Sequence, residues 1–581
     1  MPSASGRYVI AYNGEIYNFR TLRHTLEQEG LAPPWRGDSD TEVLLVAIEA
    51  WGLDEALSRA SGMFAFALWD RKEQQLFLAR DRMGEKPLYY GWQGQGEGRA
   101  MLFGSDLSSL RQHPAFTPEL DEDAVNMLFR YLYIPDPHSI YRGIQKLRPG
   151  TYLSVCPRSG KETITTYWDT LAIAAEGQKA PFQGSPQEAV DQLSNLLGQA
   201  VERQMVADVP LGAFLSGGID SSAIVALMQS RSHRPIKTFT IGFTEKAYNE
   251  ADHARAVANH LGTDHTEMIV SPADVLSVVP MLSKMYTEPF ADSSQLPTFL
   301  VSRLARQSVT VSLSGDAGDE LFGGYNRYRY AQQYWRLINC IPTPARGWMA
   351  SILQSVSPAQ WDRALGFILR NSVRNPGEKI HKSASVLQSD SIDALYRGLL
   401  SINGNANDLT ARPAGDDGFT NRDLVSIESL DPIERMMALD AIHYLPNDIL
   451  AKVDRASMAV SLESRIPMLD PEVVRFAWTL PMAMKIRDGV TKWPLRQLLY
   501  RHVPQKLVER PKTGFGIPIG DWLRGPLRDW AEDLLDPRDL AADPLLNARA
   551  VLELWKAHLS GSKNMQHQLW PILIFRSWGK N

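Results

Sequence analysis

The sequence predicts an α/β protein in which a doubly wound parallel sheet follows a smaller domain of short strands and precedes a helical part. Three observations support this prediction. Apolar strands alternate with amphipathic helices between about residues 188 and 325, which is typical of a parallel sheet covered by helices. The first 165 residues instead contain short runs with period-two alternation. Beyond Tyr325 apolar residues recur mainly at helical spacing.

Length and composition restrict the class of protein. A chain of 581 residues is too long for one hydrophobic core, and its formal charge of −5 argues against a nucleic-acid or anionic-membrane partner. The two cysteines, Cys156 and Cys340, lie far apart, which excludes a disulfide scaffold and suits a reducing compartment. No apolar run is long enough to span a bilayer, and the first residues lack a signal-peptide pattern. We therefore expect a soluble, multidomain protein of the cytoplasm.

The strand-rich part comes first. TEVLLVAIEAWG predicts a helix that ends at Gly52, and GMFAFALWDRKEQQLFLARDR predicts a hairpin around a charged turn. GTYLSV and ETITTYW predict another strand pair. The following stretch AIAAEGQKAPFQGSPQ is small, polar and rich in turn residues, which is typical of a linker. We place a first domain at residues 1–165, a linker at 166–187 and a second domain at 188–581.

The second domain opens with the helical pattern PQEAVDQLSNLLGQAVERQMV. AFLSGGIDSSAIVALMQS then predicts a strand, a tight loop and a helix. IKTFTIGF, HTEMIV and SVTVSLSG predict further strands, and NEADHARAVANHLG predicts a helix between two of them. In an open parallel sheet ligands bind beyond the carboxyl ends of the strands, so the loops that follow these strands are the candidate site.

The first candidate loop is SGGIDSS, Ser216 to Ser222, between a strand and a helix. Its glycines allow a tight turn, and free amides at a helix start bind anions. Asp220 would repel a bare phosphate, but it fits a site where Mg²⁺ bridges carboxylate and phosphate oxygens. The lysine of a G-x-x-x-x-G-K-[ST] loop is missing. The alternative interpretation is a Gly-Ser turn that only caps the helix through Asp220 or Ser221.

The second candidate loop is SLSGDAGDELFGGY, which follows the strand SVTV. Ser314 and Gly315 open another turn at a strand end, and Asp316, Asp319 and Glu320 follow. Clustered carboxylates repel one another unless a cation or a basic group lies among them. The alternative interpretation is a set of acidic residues on a solvated turn.

SGGIDSS resembles the pyrophosphate-binding loop of the N-type ATP pyrophosphatases. Within that superfamily the chain resembles the glutamine-dependent asparagine synthetases nearly from end to end, with the weakest similarity between about Arg336 and Asn421. The resemblance implies an ATP-pyrophosphatase domain at 188–581, preceded by an N-terminal-nucleophile glutaminase domain of αββα architecture. It implies ATP and Mg²⁺ as cofactors, and activation of the β-carboxylate of aspartate as an acyl-adenylate.

The resemblance also assigns roles to residues. Asp220 and Asp319 would hold Mg²⁺. Asp316, whose position is often glutamate in the family, would support acyl-adenylate formation and pair with Lys492 of TKWPLRQ, which would neutralise the leaving pyrophosphate. The residues expected to bind ATP or pyrophosphate are Leu215, Ser216, Gly217, Gly218, Asp220, Ser221, Ser222, Ile241, Ser314 and Gly315.

Two further segments resemble family segments without a defined role, YLPNDILAKVDRASMAVSLESRIPMLD and RPKTGFGIP. The first contains residues expected to frame the site, namely Asp448, Lys452, Asp454 and Arg455. The pocket for the acceptor carboxylate is expected to involve EPFADSSQLPTFL, Glu288 to Leu300, where a small polar cluster precedes a helix.

The segment NGEIYN near the start of the chain resembles a glutamine-binding segment of the glutaminase domain. Asn13 and Gly14 would donate hydrogen bonds to the oxyanion and the substrate. Glu15 and Asp40 would hold the amino group of glutamine.

The family's glutaminase nucleophile is absent. The family places a cysteine directly after the initiator methionine, where its own α-amine serves as the base, whereas Pro2 follows Met1 here. Cys156 lies deep in the chain and has no free amine. The resemblance therefore implies an N-terminally truncated domain, with an open sheet edge, uncovered apolar surface and no glutamine hydrolysis.

The leading hypothesis is an asparagine synthetase that acts on ATP and aspartate, with glutamine as nitrogen source in the intact family and free ammonia in this chain. A second hypothesis keeps the chemistry with another acceptor, such as a sugar acid of polysaccharide biosynthesis or a β-lactam precursor. A third is a nucleotide-binding pseudoenzyme. The resemblance also implies a homodimer formed through the glutaminase domains, and the truncation weakens that implication.

Overall fold

A computed structural model gives the fold of the chain. It describes residues 1–244, 249–356, 358–369, 377, 380, 383–384, 387, 389, 391–403, 406–412, 415, 418–419, 421–509 and 517–580. No helix within these ranges is both long and apolar enough to cross a membrane. The strands, numbered β1 to β13, are Tyr8–Ile16, Gly62–Asp70, Gln75–Arg80, Tyr89–Gln93, Ala100–Gly104, Gln145–Lys146, Thr151–Cys156, Lys161–Thr166, Leu211–Phe214, Lys237–Phe243, Asp264–Val270, Val311–Leu313 and Glu463–Arg465.

The helices before the last strand are numbered from α1. They are α1 to α12 at Phe19–Gln28, Asp40–Trp51, Leu53–Arg59, Leu107–Arg111, Glu122–Tyr131, Thr170–Lys179, Pro186–Gln204, Ile219–Ser230, Ala251–Leu261, Pro272–Val278, Leu282–Met285 and Gln295–Arg306. Helices α13 to α20 follow at Gly318–Phe322, Asn326–Asn339, Thr343–Ser355, Pro358–Leu369, Ile392–Leu400, Asn421–Ser426, Pro432–Leu439 and Ala451–Met458.

After the last strand the described chain is helical, as the sequence predicts. Helices α21 to α29 are Pro471–Thr479, Met482–Lys485, Trp493–Tyr500, Gln505–Val508, Ile519–Arg524, Arg528–Leu534, Pro537–Ala542, Ala548–Leu559 and Gln566–Gly579. A π-helical segment, Asp440–Leu450, joins α19 directly to α20 and contains Pro446. Proline inside a helix removes a backbone donor, and π-helical turns are common near functional sites.

The first domain is built on two antiparallel sheets, in the orders β1-β2-β3-β7-β8 and β5-β4-β6. Helices α1 to α3 cover the outer face of the larger sheet, where Leu22, Leu44 and Phe66 belong to one buried cluster. Leu78 and Leu153 pack with Tyr90 between the two sheets. The predicted hairpin β2–β3 and the predicted pair β7–β8 are both confirmed.

Strand β1 is at the edge of its sheet, and the first residues pair with part of it. The amide of Ile10 donates to the carbonyl of Met1 at 2.9 Å, and the amide of Ser3 donates to that of Tyr8 at 2.9 Å. The expectation of a broad uncovered apolar surface is wrong for residues 1–165, all of which are described. Side chains exposed on β1 are small or polar, such as Ala11 and Asn13. The exposed large apolar residues of this range are Met1, Leu31, Phe103 and Ile164, in separate segments.

The predicted linker, residues 166–187, contains helix α6. The prediction that this segment is irregular is therefore wrong. Asp169 caps this helix by accepting from the amides of Leu171 and Ala172. A Cβ on Gly177 would lie 2.6 Å from the carbonyl oxygen of Trp478 in α21. The small residues of this segment therefore reflect close packing onto the second domain. Helix α7 then begins at Pro186 behind a reciprocal cap between Ser185 and Glu188.

The second domain contains a sheet of five parallel strands in the order β11-β10-β9-β12-β13. The chain first moves outward from β9 to β10 and β11, and then returns to the other side of β9 with β12 and β13. The direction of winding therefore reverses between β9 and β12. This is the doubly wound topology that the sequence predicts, and ligands of such sheets bind where the order reverses.

Candidate active site

The two predicted loops follow the two strands that flank the switch point. Leu313 at the end of β12 lies opposite Ala213 near the end of β9. The loop after β9 therefore leads into α8 beside the loop that leads from β12 into α13. The loops touch, because a Cβ on Gly315 would lie only 2.5 Å from the amide nitrogen of Ser221. Glycine is required at this approach, since any side chain would push the two loops apart.

The first loop is a tight turn held by its own serines. Gly217 has a φ of +72°, and a Cβ there would meet the amide of Ala254 at 2.8 Å. The hydroxyls of Ser216 and Ser221 lie 3.0 Å apart, and Ser216 Oγ also accepts from the amide of Gly218 at 3.3 Å. The loop thus presents backbone amides and hydroxyls at the start of α8, where the positive end of the helix dipole favours anions.

A cleft of about 240 Å³ opens above both loops. Of the predicted nucleotide site, the structure places nine residues on its wall, namely Leu215, Ser216, Gly218, Asp220, Ser221, Ile241, Ser314, Gly315 and Asp316. Gly217 lies within the turn, and the Ser222 side chain is buried in the first turn of α8. The sequence did not predict the aromatic and aliphatic wall made by Phe214, Phe239 and Val301.

Lys492 brings the two predicted metal-binding carboxylates together. Its Nζ forms an ion pair with Asp319 Oδ1 at 2.9 Å and a second, shorter one with Asp220. Burial alone would lower the pKa of Lys492, but these two carboxylates raise it above its ordinary value. A Cβ on Gly324 would overlap the side chain of Lys492, so this glycine leaves room for the lysine.

The predicted pairing of Lys492 with Asp316 is wrong in this structure. Asp316 Oδ2 instead accepts a hydrogen bond from Ser314 Oγ in the same loop. Aspartate is one methylene shorter than glutamate, so its carboxylate stays close to its own backbone. Burial raises the pKa of Asp316, and the hydrogen bond from Ser314 and the charge of Lys452 oppose that rise.

The chemistry of the donor set fits a magnesium ion. Asp220 and Asp319 come from separate loops, yet both form ion pairs with the buried ammonium group of Lys492. A Cβ on Gly318 would lie 2.6 Å from Asp220 Oδ1, so the two loops leave space for this carboxylate alone. Mg²⁺ in phosphate-transfer sites is commonly bound by one or two carboxylates and by substrate phosphates. These two residues are therefore the ones that would hold it.

The third wall of the cleft comes from the segment predicted to form the acceptor pocket. Ser294 and Thr298, at the start of α12, line the cleft together with Lys452 from α20. Asp292 Oδ2 accepts from Lys452 Nζ at 2.8 Å. At the other end of the segment, Glu288 forms an ion pair with Lys146 of the first domain. The segment therefore runs from the domain interface to the cleft.

The sequence indicates more about Lys452 than its predicted role as a residue that frames the site. Asp448 and Lys452 are four residues apart, which places them on one face of a helix. Asp454 and Arg455 lie outside the cleft lining and contact the first domain, through Lys86 and through Ser105 and Asp106.

The predicted glutamine-binding residues lie at the end of β1 and the start of α2. Asn13 Nδ2 donates to Ser105 Oγ at 3.0 Å, and Gly14 adopts a φ of +154°. Asp40 Oδ2 accepts from the amide of Ile16 at 2.9 Å. Glu15 lies near Asp40 and forms an ion pair at 3.8 Å with Arg465 at the end of β13. Burial and the charge of Asp40 raise the pKa of Glu15 to about 7.

Comparisons with known proteins agree with this two-domain arrangement. Residues 192–580 match the family described as asparagine synthase, and residues 1–168 match the glutamine amidotransferase domain. A protein of Mycobacterium tuberculosis (strain ATCC 25618 / H37Rv) named "Putative asparagine synthetase (glutamine-hydrolyzing)" is 35% identical over 584 residues, which cover 99% of this chain and 85% of that protein. "Asparagine synthetase (glutamine-hydrolyzing) 1" of Bacillus subtilis (strain 168) is 31% identical and covers 98% of this chain and 85% of its own length.

Proposed function

The chain belongs to the asparagine synthase family, and from this premise we propose that it is an ATP-dependent ligase that converts aspartate to asparagine. The observation that carries the proposal is the contact between the 216–222 and 314–320 loops, with Lys492 bound to a carboxylate from each. We propose aspartate as the acceptor because the relatives are named asparagine synthetases.

The first half-reaction is adenylation. We propose that adenine lies against Ile241 and that the phosphates lie along the loop that starts at Ser216. A β-carboxylate oxygen of aspartate attacks the α-phosphorus, the bond to the bridging oxygen breaks, and pyrophosphate leaves with that oxygen. The amides at the start of α8 and the ammonium of Lys492 then stabilise the negative charge on the leaving group.

Two carboxylates beside Lys492 complete this subsite. Asp220 and Asp319 would hold Mg²⁺ there, and the bound ion supplies charge neutralisation between these carboxylates and the phosphate oxygens. Lys492 supports the same subsite from within the protein, because its ion pairs keep it protonated despite burial.

The second half-reaction is amide formation. The nitrogen of ammonia attacks the β-carbonyl carbon of aspartyl-AMP, the bond from that carbon to the phosphate oxygen breaks, and AMP leaves as asparagine and a proton form. In the intact family glutamine supplies the ammonia, and Asn13, Gly14, Glu15 and Asp40 are the proposed glutamine-binding residues. We propose that free ammonia also reaches this intermediate directly.

The test supplies the purified 581-residue polypeptide with ATP, Mg²⁺, aspartate and either ammonium chloride or glutamine. AMP, pyrophosphate and asparagine are measured. We expect all three with ammonium, and glutamate release in the assay with glutamine tests whether the first domain supplies nitrogen. Absence of asparagine with ammonium would contradict the proposal that free ammonia reacts.

A panel of other carboxylic acids, including sugar acids, accompanies aspartate in the ATP–pyrophosphate exchange assay. Exchange with another acid but not with aspartate would show that the acceptor is that other acid, and it would still support the proposed ligase chemistry. Absence of AMP with every acid would leave a nucleotide-binding protein without turnover.

The proposal extends to location and partners. The two cysteines of the sequence, Cys156 and Cys340, are not joined by a disulfide, which fits work in the reducing cytoplasm. The proposed partners are small molecules and a second copy of the chain, bound through the first domain as a homodimer. A sedimentation experiment would test the homodimer.

A further inference from the structure

We propose that Lys452 is a second catalytic cation of this site, which binds the α-phosphate of the nucleotide and of the acyl-adenylate, with Asp292 as its positioning residue. This inference rests on the proposed function. It concerns the part of the cleft that is lined by Ser294, Thr298 and Lys452. Lys492 is not among the described lining residues and instead pairs with Asp220 and Asp319.

The first argument is the distribution of charge around the cleft. Of the described residues that line it, Lys452 alone carries a positive charge, and Asp220 and Asp316 carry carboxyl groups. A triphosphate brings several negative charges into this space, so a lining cation is needed near the phosphorus that is attacked. Lys452 lies close enough to Asp316 for each to alter the pKa of the other.

The second argument is that Lys452 is held in place. Its side chain is only 10% exposed, and its Nζ lies 2.8 Å from Asp292 Oδ2. Asp292 also accepts from the amide of Ser294 at 2.9 Å and from its hydroxyl at 2.6 Å. One carboxylate therefore fixes both the lysine and the first residue before α12, and both line the cleft.

The third argument is that Asp292 leaves part of the charge of Lys452 available. Burial and the neighbouring Asp292 raise the pKa of Asp448 well above its ordinary value. This shift disfavours the charged form of Asp448, and the ion pair that fixes Lys452 is the one with Asp292. An ammonium has three donors, so the bond to Asp292 leaves two for a substrate oxygen.

The position of Lys452 along the cleft selects the α-phosphate. In the proposed binding mode, adenine lies against Ile241 and pyrophosphate lies along the 216–222 loop. Lys452, Ser294 and Asp316 also line the cleft. Asp316 is close enough to both Lys452 and Lys492 for each cation to lower its pKa. The α-phosphate lies between adenosine and pyrophosphate, and it is the group that the acceptor must reach.

The experiment measures binding of adenosine and AMP by calorimetry, and ATP–pyrophosphate exchange with aspartate. We expect Lys452→Met to weaken AMP binding by about tenfold or more, as for loss of a charge-assisted hydrogen bond, and to leave adenosine binding unchanged. Lys452→Arg keeps the charge and should restore most AMP affinity. Asp292→Asn leaves Lys452 charged but unfixed, and should lower the exchange rate more than AMP affinity.

The control is Lys237→Met. Lys237 forms an exposed ion pair with Asp264 at the opposite end of the same sheet, so its variant should match the unmodified protein in both assays. Because Lys452→Met leaves buried carboxylates behind, the double variant Lys452→Met/Asp292→Asn provides a second measurement if the single variant fails to fold. It should show the same selective loss of AMP binding.

Each outcome separates this inference from the proposed function. Unchanged AMP affinity in both Lys452→Met proteins would overturn the inference while leaving active unmodified protein as support for the ligase. A raised KM for aspartate with unchanged AMP affinity would also overturn it, because Lys452 would then bind the acceptor carboxylate. Unmodified protein that binds AMP but makes none from ATP would refute the proposed function and leave the phosphate contact to be judged by binding alone.

Discussion

Lys86 of the first domain and Asp454 of the second form an ion pair with 2.8 Å between Nζ and Oδ1, although 368 residues separate them in sequence. The side chains are only 6% and 9% exposed. Burial by itself would lower the pKa of Lys86, but Asp454 raises it above the ordinary value. The charged pair therefore joins the two domains at helix α20, which also carries Lys452 into the cleft.

We expect Lys86→Met to destabilise the protein by about 3–5 kcal/mol, because it leaves the carboxylate of Asp454 buried without its cation. Denaturation with urea, followed by tryptophan fluorescence, would measure the loss. The double variant Lys86→Met/Asp454→Leu removes both charges and should recover most of the stability, since apolar pairs can replace buried ion pairs.

The matched control is Arg549→Ala. Arg549 pairs with Glu553 on the surface of α28, where the two side chains are 89% and 65% exposed. Removal of such a pair should cost less than about 0.5 kcal/mol. Equal midpoints for Lys86→Met and unmodified protein would refute the structural role assigned to the buried pair.

Lys492→Met tests the centre of the proposed site. AMP formation from ATP, aspartate and ammonium should fall by about 10²–10³-fold, as when one donor to developing negative charge is removed. The variant removes the shared partner of Asp220 and Asp319, so melting temperature should be recorded beside the rate. Lys237→Met again serves as the control, and full activity in Lys492→Met would exclude this lysine from the reaction.

The sequence predicted the parallel sheet and its two loops because those signals are local. SGGIDSS and SLSGDAGDELFGGY each follow an apolar strand, and parallel strands place their carboxyl ends at one edge. The strand order confirms that the two loops lie side by side, since Gly315 of one loop approaches Ser221 of the other. The helical content of Ala172 to Lys179 was missed, because small residues are typical both of linkers and of helices packed closely on a neighbour.

The partners of charged side chains could not be predicted in the same way. Lys492 follows Asp220 by 272 residues, and only the fold decides that it binds Asp220 and Asp319 while Asp316 bonds to Ser314. The aromatic wall at Phe239 was missed for a related reason. A phenylalanine within an apolar strand has the same sequence pattern whether it faces the core or a cleft.

Gly315→Ala should separate the two loops without unfolding the protein. The new Cβ would lie 2.5 Å from the amide nitrogen of Ser221 and 2.7 Å from the carbonyl carbon of Asp220, so backbone must move. We expect ATP binding, measured by calorimetry, to weaken by more than about tenfold, because the loss of one positioned contact costs on the order of 1.4 kcal/mol.

The control for this prediction is Gly398→Ala. Gly398 lies in helix α17, and a Cβ there would meet no atom within 4 Å. Alanine should stabilise this helix by up to about 1 kcal/mol and leave ATP binding unchanged. Unaltered ATP binding in Gly315→Ala would mean that the contact between the loops is not needed for the nucleotide.

Glu15 makes the stability of the protein depend on pH. Burial, with a contribution from Asp40, raises its pKa from an ordinary value of 4.5 to about 7, although Arg465 opposes the rise. The folded state therefore binds this proton more tightly than the unfolded state does. Its contribution to stability is fully present below about pH 4.5 and is lost as the pH rises through about 7.

Glu15→Gln removes this group from the titration, so the variant should lose less stability than the unmodified protein between pH 5 and pH 8. Urea midpoints at several pH values across that interval would measure the difference. Glu553→Gln, at an exposed site on α28, should retain the slope of the unmodified protein. A slope that Glu15→Gln leaves unchanged would mean that the carboxyl group of Glu15 titrates alike in the folded and unfolded chains, and that its burial against Asp40 and Arg465 carries no energetic consequence.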